Sequence, residues 1–208
     1  MPYIAMEERP AIDEKVDALA EEIAEAVGRA ANNETEVSVY YRSSFVSIGR
    51  VVLQLAREKG VAKSPDAAVH LALEIFGGSP SACRSSAWLG RLNYALTRLI
   101  QEVPRKMVEK GFWKEEFRYW VYAQTVGALV RSAADFSGDD WQTDGLVGVL
   151  TDVKDEYKRR VNAAYETFQI RKTGDCYTTR FRTEPSEVKD AAGTVIGYTD
   201  VMKDLGRA

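Results

Sequence analysis

The feature that most constrains this 208-residue chain is a long apolar periodicity toward its C-terminal end. Apolar residues recur there at alternating steps of three and four positions, which is the spacing of one face of an α-helix. The residues on this face are Leu146, Leu150, Val153, Tyr157, Val161, Ala164 and Phe168. The pattern predicts one helix from about Gly145 to Lys172 with a continuous inward face. Gly174 is a natural place for that helix to stop.

The same periodicity, together with start and stop residues, predicts further helices upstream. They cover "AIDEKVDALAEEIAEAVGRAANN" (11–33), "SSFVSIGRVVLQLAREKG" (43–60), "SPDAAVHLALEIFGG" (64–78), a segment from Ser85 or Ser86 to Val103, and about Trp113 to Phe136. The piece "TEVSVYYR" (35–42) is β-branched and aromatic, and it is predicted to be a short strand or an extended linker.

Local signals refine these helices. In the third, Ser64 can cap the N-terminus, Pro65 suits the first helical position, and Asp66 favours the positive end of the helix dipole. Gly77 can close the same helix. Pro104 is expected to kink or interrupt the fourth helix, because its ring removes a donor and crowds the preceding turn.

The segment from Trp113 to Phe136 is dense in aromatic residues, which favours a buried central helix. After the last helix the pattern changes to "CYTTRFR" and "DAAGTVIGY", which predict a small strand pair between about Cys176 and Tyr198. The predicted fold is an all-α multi-helix bundle (1–175) with a small C-terminal β-hairpin appendage (176–208). The hairpin is marginal alone, so the helices or a second subunit in a homodimer must cover it.

Composition narrows the function classes. The formal net charge is −3, so no general basic field exists to hold nucleic acid, and nucleic acid is not an expected partner. No run of about 18 apolar residues and no signal peptide are visible, so we expect a cytoplasmic protein with no membrane partner. Cys83 and Cys176 follow no metal spacing and are expected to be free thiols, although a disulfide stays open.

Catalytic and cofactor signals are weak. The single histidine, His70, has no partner in sequence, and the glycine-rich phosphate loops are absent. The acid sets 21–25 and 152–156 have a spacing that could hold magnesium, but bases nearby match them, which favours a solvated helix face. We therefore expect no catalytic residues, no metal and no cofactor.

The doublet Arg159–Arg160 is the main candidate for binding. Asp155 and Glu156 precede the two arginines by four residues, which suits simple surface pairs. Arg160 lies beside Tyr157, at the edge of the predicted inward face, where a guanidinium must be paired or face a cleft. Glu156 would then orient Arg160 toward a phosphate or carboxylate. A purely structural network is the alternative.

Other polar and aromatic residues can complete such a site. Tyr157, Tyr165 and Tyr177 could supply flat faces or hydroxyl groups. Asn93 adjoins the apolar face of the fourth helix, where its amide needs partners, and Tyr94 follows it. The amide could contact a ligand held between helices, or it could clamp the neighbouring helix.

Several short motifs occur in an order that resembles a known family. They are "MPYI", "LNYALTRLI", "GLVGVL", "EYKRRV", "YE" and "TGDCY". This order is similar to that of a small uncharacterised family, associated with phage and prokaryotic genomes and with a domain of unknown function. By this resemblance the family's fixed positions are Asn93, Tyr94, Glu156, Arg159, Arg160, Tyr165, Glu166, Gly174, Asp175 and Tyr177.

The resemblance covers the first few residues and roughly 88–177, so 35–85 and the tail after 178 look like additions. The chain departs from the pattern at Arg91, Thr151 and Lys158, where the family has acidic or aromatic residues. The resemblance implies a phage or prokaryotic origin and a set of residues, and it implies no reaction.

Together these observations predict a non-enzymatic, phage-type binding protein that sequesters a small anionic ligand, first a nucleotide or nucleotide signal, as a counter-defence protein. The expected cleft lies between the fourth and last helices and includes Arg160, Tyr157, Asn93 and the Gly174–Tyr177 turn. Two alternatives stay open. One is a helical interaction or assembly module acting on a host protein. The other is a carboxylate- and magnesium-dependent nucleotide hydrolase.

Overall fold

A computed structural model describes residues 4–30, 36–57, 66–76, 87–116, 118–136, 138, 140–173 and 181–204. Its helices are α1 (Arg9–Arg29), α2 (Glu36–Ala56), α3 (Ala67–Ile75), α4 (Ala87–Glu109), α5 (Tyr119–Asp135), α6 (Trp141–Tyr157) and α7 (Ala163–Thr173). A short 3-10 helix, Met6–Glu8, precedes α1, and a π-helical segment, Lys158–Asn162, lies between α6 and α7. Two strands follow, β1 (Phe181–Lys189) and β2 (Val195–Asp204).

The chain divides into two compact units, Met1–Asn162 and Ala163–Ala208. The predicted all-α bundle with a small C-terminal hairpin is confirmed. The predicted division at 175/176 falls within the second unit. No helix in the described ranges has the length and apolarity needed to cross a membrane.

The first unit is a bundle around one apolar core. Helix α1 packs on α3 and α4, α2 on α3 and α5, and α6 on α4 and α5. The largest fully buried side chains come from α1 to α4 and include Tyr41, Phe45, Phe76 and Trp88. Burial of such large side chains supplies most of the stabilisation of a bundle of this kind.

The start of α2 corrects a prediction. The segment 36–42, expected to be a strand or linker, is helical. Val37 and Tyr41 point inward at helical spacing and are fully buried, and Tyr41 stacks on Phe45 at 5.5 Å. Tertiary burial of one helical face therefore outweighs the local strand preference of β-branched and aromatic residues.

Three helix boundaries also differ from prediction. Asp66, not Ser64, caps α3, since its side chain accepts a hydrogen bond from the Ala68 backbone N–H at 2.8 Å. Helix α4 runs through the buried Pro104 to Glu109, so the expected interruption does not occur at this residue. Ser64 and Gly77 lie outside the described residues.

The predicted fifth helix begins later than expected, at Tyr119 rather than near Trp113. Gly111 has φ +74° and ends α4 in the left-handed conformation that glycine tolerates best. The backbone N–H groups of Phe112 and Trp113 then donate to the Met107 carbonyl at 2.9 and 3.2 Å. This turn uses residues that the sequence pattern assigned to the helix.

Helices α1 and α4 run parallel and are joined by a ladder of ion pairs, called here the α1–α4 ladder. Acids on α1 face bases on or just after α4, and the paired residues follow the same order along both helices. The pairs are Asp13–Arg98 (3.4 Å), Asp17–Arg105 (3.9 Å), Glu21–Lys106 (3.7 Å), Glu21–Lys110 and Glu25–Lys110 (2.7 Å). Glu102, itself buried, pairs with Arg98 and Arg105 on the same helix.

The predicted last helix begins earlier than expected, at Trp141. The Asp140 side chain caps α6 by accepting from the Thr143 backbone N–H at 2.8 Å. The inward face is confirmed from Leu146 to Tyr157, whose residues are buried. Beyond Tyr157 the prediction of one continuous face is wrong, because a π-helical turn holds an extra residue and breaks the spacing.

In the second unit, α7 has no buried residue, and Phe168 is 60% exposed. Strands β1 and β2 pair antiparallel from Phe181↔Asp204 to Lys189↔Val195, so the hairpin lies later than the predicted 176–198. Gly193, at φ +83°, supplies the expected glycine turn. The Asp190 side chain accepts from the Ala192 and Thr194 backbone N–H groups, both at 2.9 Å, and fixes that turn.

Candidate functional site

The predicted arginine doublet forms one cluster with Glu156, called here the Glu156 cluster. Arg159 donates to Glu156 from Nε at 3.3 Å and from Nη2 at 2.8 Å. Arg160 donates to the same carboxylate from Nε at 2.6 Å. These hydrogen bonds, first from Arg159 and then from Arg160, lower the pKa of Glu156 to about 2.

The Glu156 cluster lies on the surface of the bundle. The side chains of Arg159 and Arg160 are 61% and 51% exposed, and Glu156 is 20% exposed. All contacts described above are between residues three or four apart on one helical face. The pattern is therefore that of local helix pairs, as the acid-before-base spacing predicts.

Tyr157 points away from the surface. It is 7% exposed, and its ring stacks on Tyr122 at 5.5 Å with an interplanar angle of 28°. Burial raises the pKa of the Tyr157 phenol to about 12. Its ring belongs to the contact between α5 and α6.

Asn93 connects α4 to α6. Its amide N–H donates to the Asp152 carboxylate, and its amide oxygen accepts from Thr97 Oγ1 at 3.3 Å. Asn93 is 5% exposed, so these two partners satisfy a buried polar group. Asp152 lies one helical turn before Glu156, which places Asn93 and the Glu156 cluster along the same side of α6.

Tyr94 faces the opposite direction, toward α1. Its hydroxyl donates to Asp13 at 3.0 Å, and the Arg9 guanidinium lies 5.6 Å from the ring centroid. Burial, followed by the hydrogen bond to Asp13, raises the pKa of Tyr94. The structure therefore separates Asn93 and Tyr94, which are adjacent in sequence, onto two helix contacts.

The remaining predicted residues are Tyr165, Gly174, Asp175 and Tyr177. Tyr165 belongs to the second unit, on α7. Gly174, Asp175 and Tyr177 lie outside the described residues.

A second arginine-lined region, not predicted from sequence, runs along α2. Two clefts of about 370 and 390 Å³ follow each other on this helix and share Arg50 and Asp135 as lining residues. Together they are called here the α2 groove. The first cleft is lined by Val39, Arg42, Ser43, Val46, Ser47, Arg50 and Asp135, and the second by Arg50, Leu53, Gln54, Arg57, Asp135 and Phe136.

Two of the three arginines in the α2 groove are paired to other parts of the bundle. Arg42 makes a two-pronged contact with Asp135, from Nε at 2.9 Å and Nη2 at 2.7 Å. Arg57 pairs with Asp140, the residue that caps α6. The pKa of Asp135 is lowered, first by the Arg42 hydrogen bonds, with a smaller attraction from Arg50.

Arg50 differs from its neighbours. It is exposed, it lies where the two clefts meet, and no carboxylate of the described residues forms an ion pair with it. The groove thus has three guanidinium groups against the carboxylates of Asp135 and Asp140. The excess of positive charge and the hydroxyl groups of Ser43 and Ser47 suit an anion with hydrogen-bond acceptors.

A spacing in the sequence could have revealed the α2 groove. Val39, Val46 and Leu53 recur every seven residues, and Arg50 and Arg57 follow at the same interval. Such spacing puts the residues on one helical face only if the whole of 36–56 is helical. The prediction of a short strand or an extended linker at its start hid the pattern.

Most of the acidic groups considered for magnesium are engaged elsewhere. Glu21 and Glu25 pair with Lys110, and Asp152 accepts from Asn93. Within the part of the chain described here, no three histidine, cysteine or carboxylate side chains converge as a metal site requires. His70 is exposed on α3.

The fold and these contacts define the first unit as a helical bundle with arginine-rich surfaces. A family model, described as a domain of unknown function (DUF6899), matches residues 1–176. The chain belongs to this family, which confirms the resemblance to an uncharacterised family that its motifs suggested. No curated protein and no solved structure matches the chain.

Proposed function

We propose that this protein is a non-enzymatic binding protein that sequesters a small anionic ligand, with a nucleotide or nucleotide signal as the first candidate. The α2 groove is the proposed binding surface. If the protein is phage-encoded, removal of a nucleotide signal would counter a host defence. This role is part of the same proposal.

The observation that supports the proposal is the position of Arg50. Its guanidinium is exposed at the junction of two clefts, without an ion-pair partner among the described residues. A phosphate group can take two parallel N–H donors from such a fork. Arg42 and Arg57, held in place by Asp135 and Asp140, border the two clefts and add positive potential on both sides.

The Glu156 cluster supplies a weaker basis for anion binding. Its two guanidinium groups already share one carboxylate. The residues of the Glu156 cluster line neither cleft of the α2 groove. The cluster stays a candidate because the resemblance places its residues at fixed positions of the family. Its two arginines also exceed its one carboxylate by one positive charge. The experiment below therefore includes both regions.

The test is a ligand panel of nucleotides and cyclic dinucleotides, measured by thermal shift and calorimetry with and without magnesium. Product analysis of the same samples identifies conversion. We expect an intact ligand to bind, and we expect Arg50→Ala to weaken it at least tenfold, as loss of a charged hydrogen-bond donor does. Arg29→Ala is the matched control, because Arg29 is 79% exposed and pairs only along its own helix with Glu25.

Each outcome decides between candidates. Loss of binding in Arg160→Ala, with Arg50→Ala unchanged, would move the site to the Glu156 cluster. Turnover of a nucleotide would establish the hydrolase instead. If no member of the panel binds, the anion-binding proposal is wrong.

A second candidate is the interaction module, and exposed apolar side chains favour it. Tyr119 at the start of α5 is 56% exposed, and Val39 at the end of the α2 groove is 62% exposed. Exposed apolar side chains occur at protein contacts when they form a patch. Light scattering of the wild type and of Tyr119→Ser tests self-association, and a monomer in both would contradict assembly through this residue.

A further inference from the structure

A third cleft borders the α2 groove on the next face of the same helix. Its volume is about 200 Å³, and it lies between α1, α2 and the start of α3. It is called here the Glu22 pocket. Glu22 lines it, together with Tyr40 and the hydroxyl groups of Ser43, Ser44 and Ser47.

Ser43 and Ser47 line both the Glu22 pocket and the first cleft of the α2 groove. At about 100° per residue, the two clefts occupy adjacent faces of α2, and these serines lie where the faces meet. Serine is a small residue, so the ridge between the clefts is low and offers hydroxyl groups to whatever crosses it.

The two sides of this ridge have opposite charge. Arg42 and Arg50 lie on one side, and the exposed carboxylate of Glu22 lies on the other. No cation of the described residues forms an ion pair with Glu22, so its carboxylate can accept hydrogen bonds from a ligand. Tyr40, partly buried on the same side, adds an aromatic ring.

From this arrangement we infer that the ligand is a nucleoside phosphate that spans the ridge, an inference that rests on the proposed function. The phosphate takes the Arg42 and Arg50 side. The nucleoside takes the Glu22 pocket, where Glu22 accepts hydrogen bonds from ribose hydroxyl or base amino groups. A bare phosphate satisfies only the first half of this surface, so the second half gives selectivity.

The test compares three kinds of phosphate ligand by calorimetry on the full chain: pyrophosphate, ribose 5-phosphate and nucleoside 5′-diphosphates. We expect a nucleoside diphosphate to bind at least tenfold more tightly than pyrophosphate, because it adds charge-assisted hydrogen bonds. Glu22→Gln should remove this advantage and leave pyrophosphate unchanged. Ribose 5-phosphate identifies which group of the ligand donates to Glu22. If Glu22→Gln weakens the binding of ribose 5-phosphate, the donor is a ribose hydroxyl group. If Glu22→Gln leaves that binding unchanged, the donor is a base amino group.

Glu14→Gln is the matched control, because Glu14 is an exposed acid on the same helix and lines none of the three clefts. If pyrophosphate and the nucleotide bind equally, or if Glu22→Gln changes both alike, the inference fails while the anion site stands. If Arg50→Ala leaves all of these affinities unchanged, the α2 groove is not the binding surface, and the inference fails with it.

Discussion

The α2 groove and the Glu156 cluster both place arginine beside carboxylate, yet the two regions are built differently. In the α2 groove, Arg42 pairs with Asp135 across 93 sequence positions. In the Glu156 cluster, Arg159 and Arg160 pair with an acid three or four positions away. Tertiary pairs hold a surface together only when the bundle is folded, whereas local pairs also form in an isolated helix.

This difference affects what each region can do. The α2 groove uses two of its arginines in ion pairs within the bundle, and the third, Arg50, has no ion pair among the described residues. The Glu156 cluster uses both of its arginines on one carboxylate. An anion-binding surface therefore needs more cationic side chains than the protein's own carboxylates engage in ion pairs. The α2 groove meets that condition more clearly than the Glu156 cluster does.

The largest effect is expected at Gly49, directly beneath the groove. A Cβ at this position would lie 2.4 Å from Phe136 Cζ and 3.1 Å from Leu146 Cδ2. Gly49→Ala should therefore destabilise the fold by about 1–3 kcal/mol, as overpacking of a core does. It should also distort the groove, because Phe136 lines the second cleft.

Chemical denaturation measures this loss, and Gly148→Ala is the matched control. A Cβ at Gly148 meets nothing within 4 Å, so alanine there should stabilise α6 by about 0.5–1 kcal/mol. Equal effects of the two substitutions would contradict the close packing described for α2.

The next effect is expected at Asn93, beside the Glu156 cluster. Asn93→Ala removes the buried bond to Asp152 and should cost about 1–2 kcal/mol in the free energy of unfolding. If Asn93 is a clamp between α4 and α6, ligand affinity at the α2 groove stays unchanged. Thr151→Ala, at an exposed position on α6 next to Asp152, is the control. Loss of ligand binding in Asn93→Ala alone would return the site to the predicted cleft.

A smaller effect should separate the ion pairs themselves. Double-mutant cycles on Arg42 with Asp135 and on Arg159 with Glu156 measure each coupling energy. We expect a larger coupling for Arg42–Asp135, because loss of Arg159 leaves Arg160 on the same carboxylate. Added salt should reduce both couplings. An equal or larger coupling for Arg159 would show that redundancy does not weaken the local pair.

The smallest effect is the acid titration of Glu156. Its folded pKa of about 2 lies below its ordinary value, so its contribution to stability is complete above about pH 4.5. That contribution disappears as the pH falls from about 4.5 to 2. NMR titration of the side-chain carboxyl measures the pKa directly. A midpoint for Glu156 near that of an unpaired glutamate would disprove the shared contact.

Sequence patterns predicted the bundle well where one helix face is continuously apolar. The inward residues of α1 and of α6 up to Tyr157 are buried as expected. The sequence patterns failed where contacts with other parts of the bundle decide the local structure. Helical structure at the start of α2 depends on the buried position of Tyr41, and the π-helical turn after Tyr157 has no simple residue signature.

The candidate sites show the same limit. Local pairing in the Glu156 cluster could be predicted, because residues three or four apart on a helix are neighbours. The seven-residue spacing on α2 could indicate the face of the α2 groove, but its ion pairs could not be predicted, since Asp135 and Asp140 approach α2 only after the bundle forms. Arg50 is distinguished because no carboxylate of the described residues forms an ion pair with it. This property can be seen only in the folded protein.

The α1–α4 ladder also bears on how the chain reaches its fold. Acidic α1 and basic α4 are separated in sequence by α2 and α3, so their attraction acts over a long stretch of unfolded polypeptide. Such attraction accelerates encounter of the two segments before apolar surface is excluded from water. A slide of one turn would leave charges at both ends unmatched. The ladder therefore selects the parallel register kinetically, and refolding should slow as ionic strength rises.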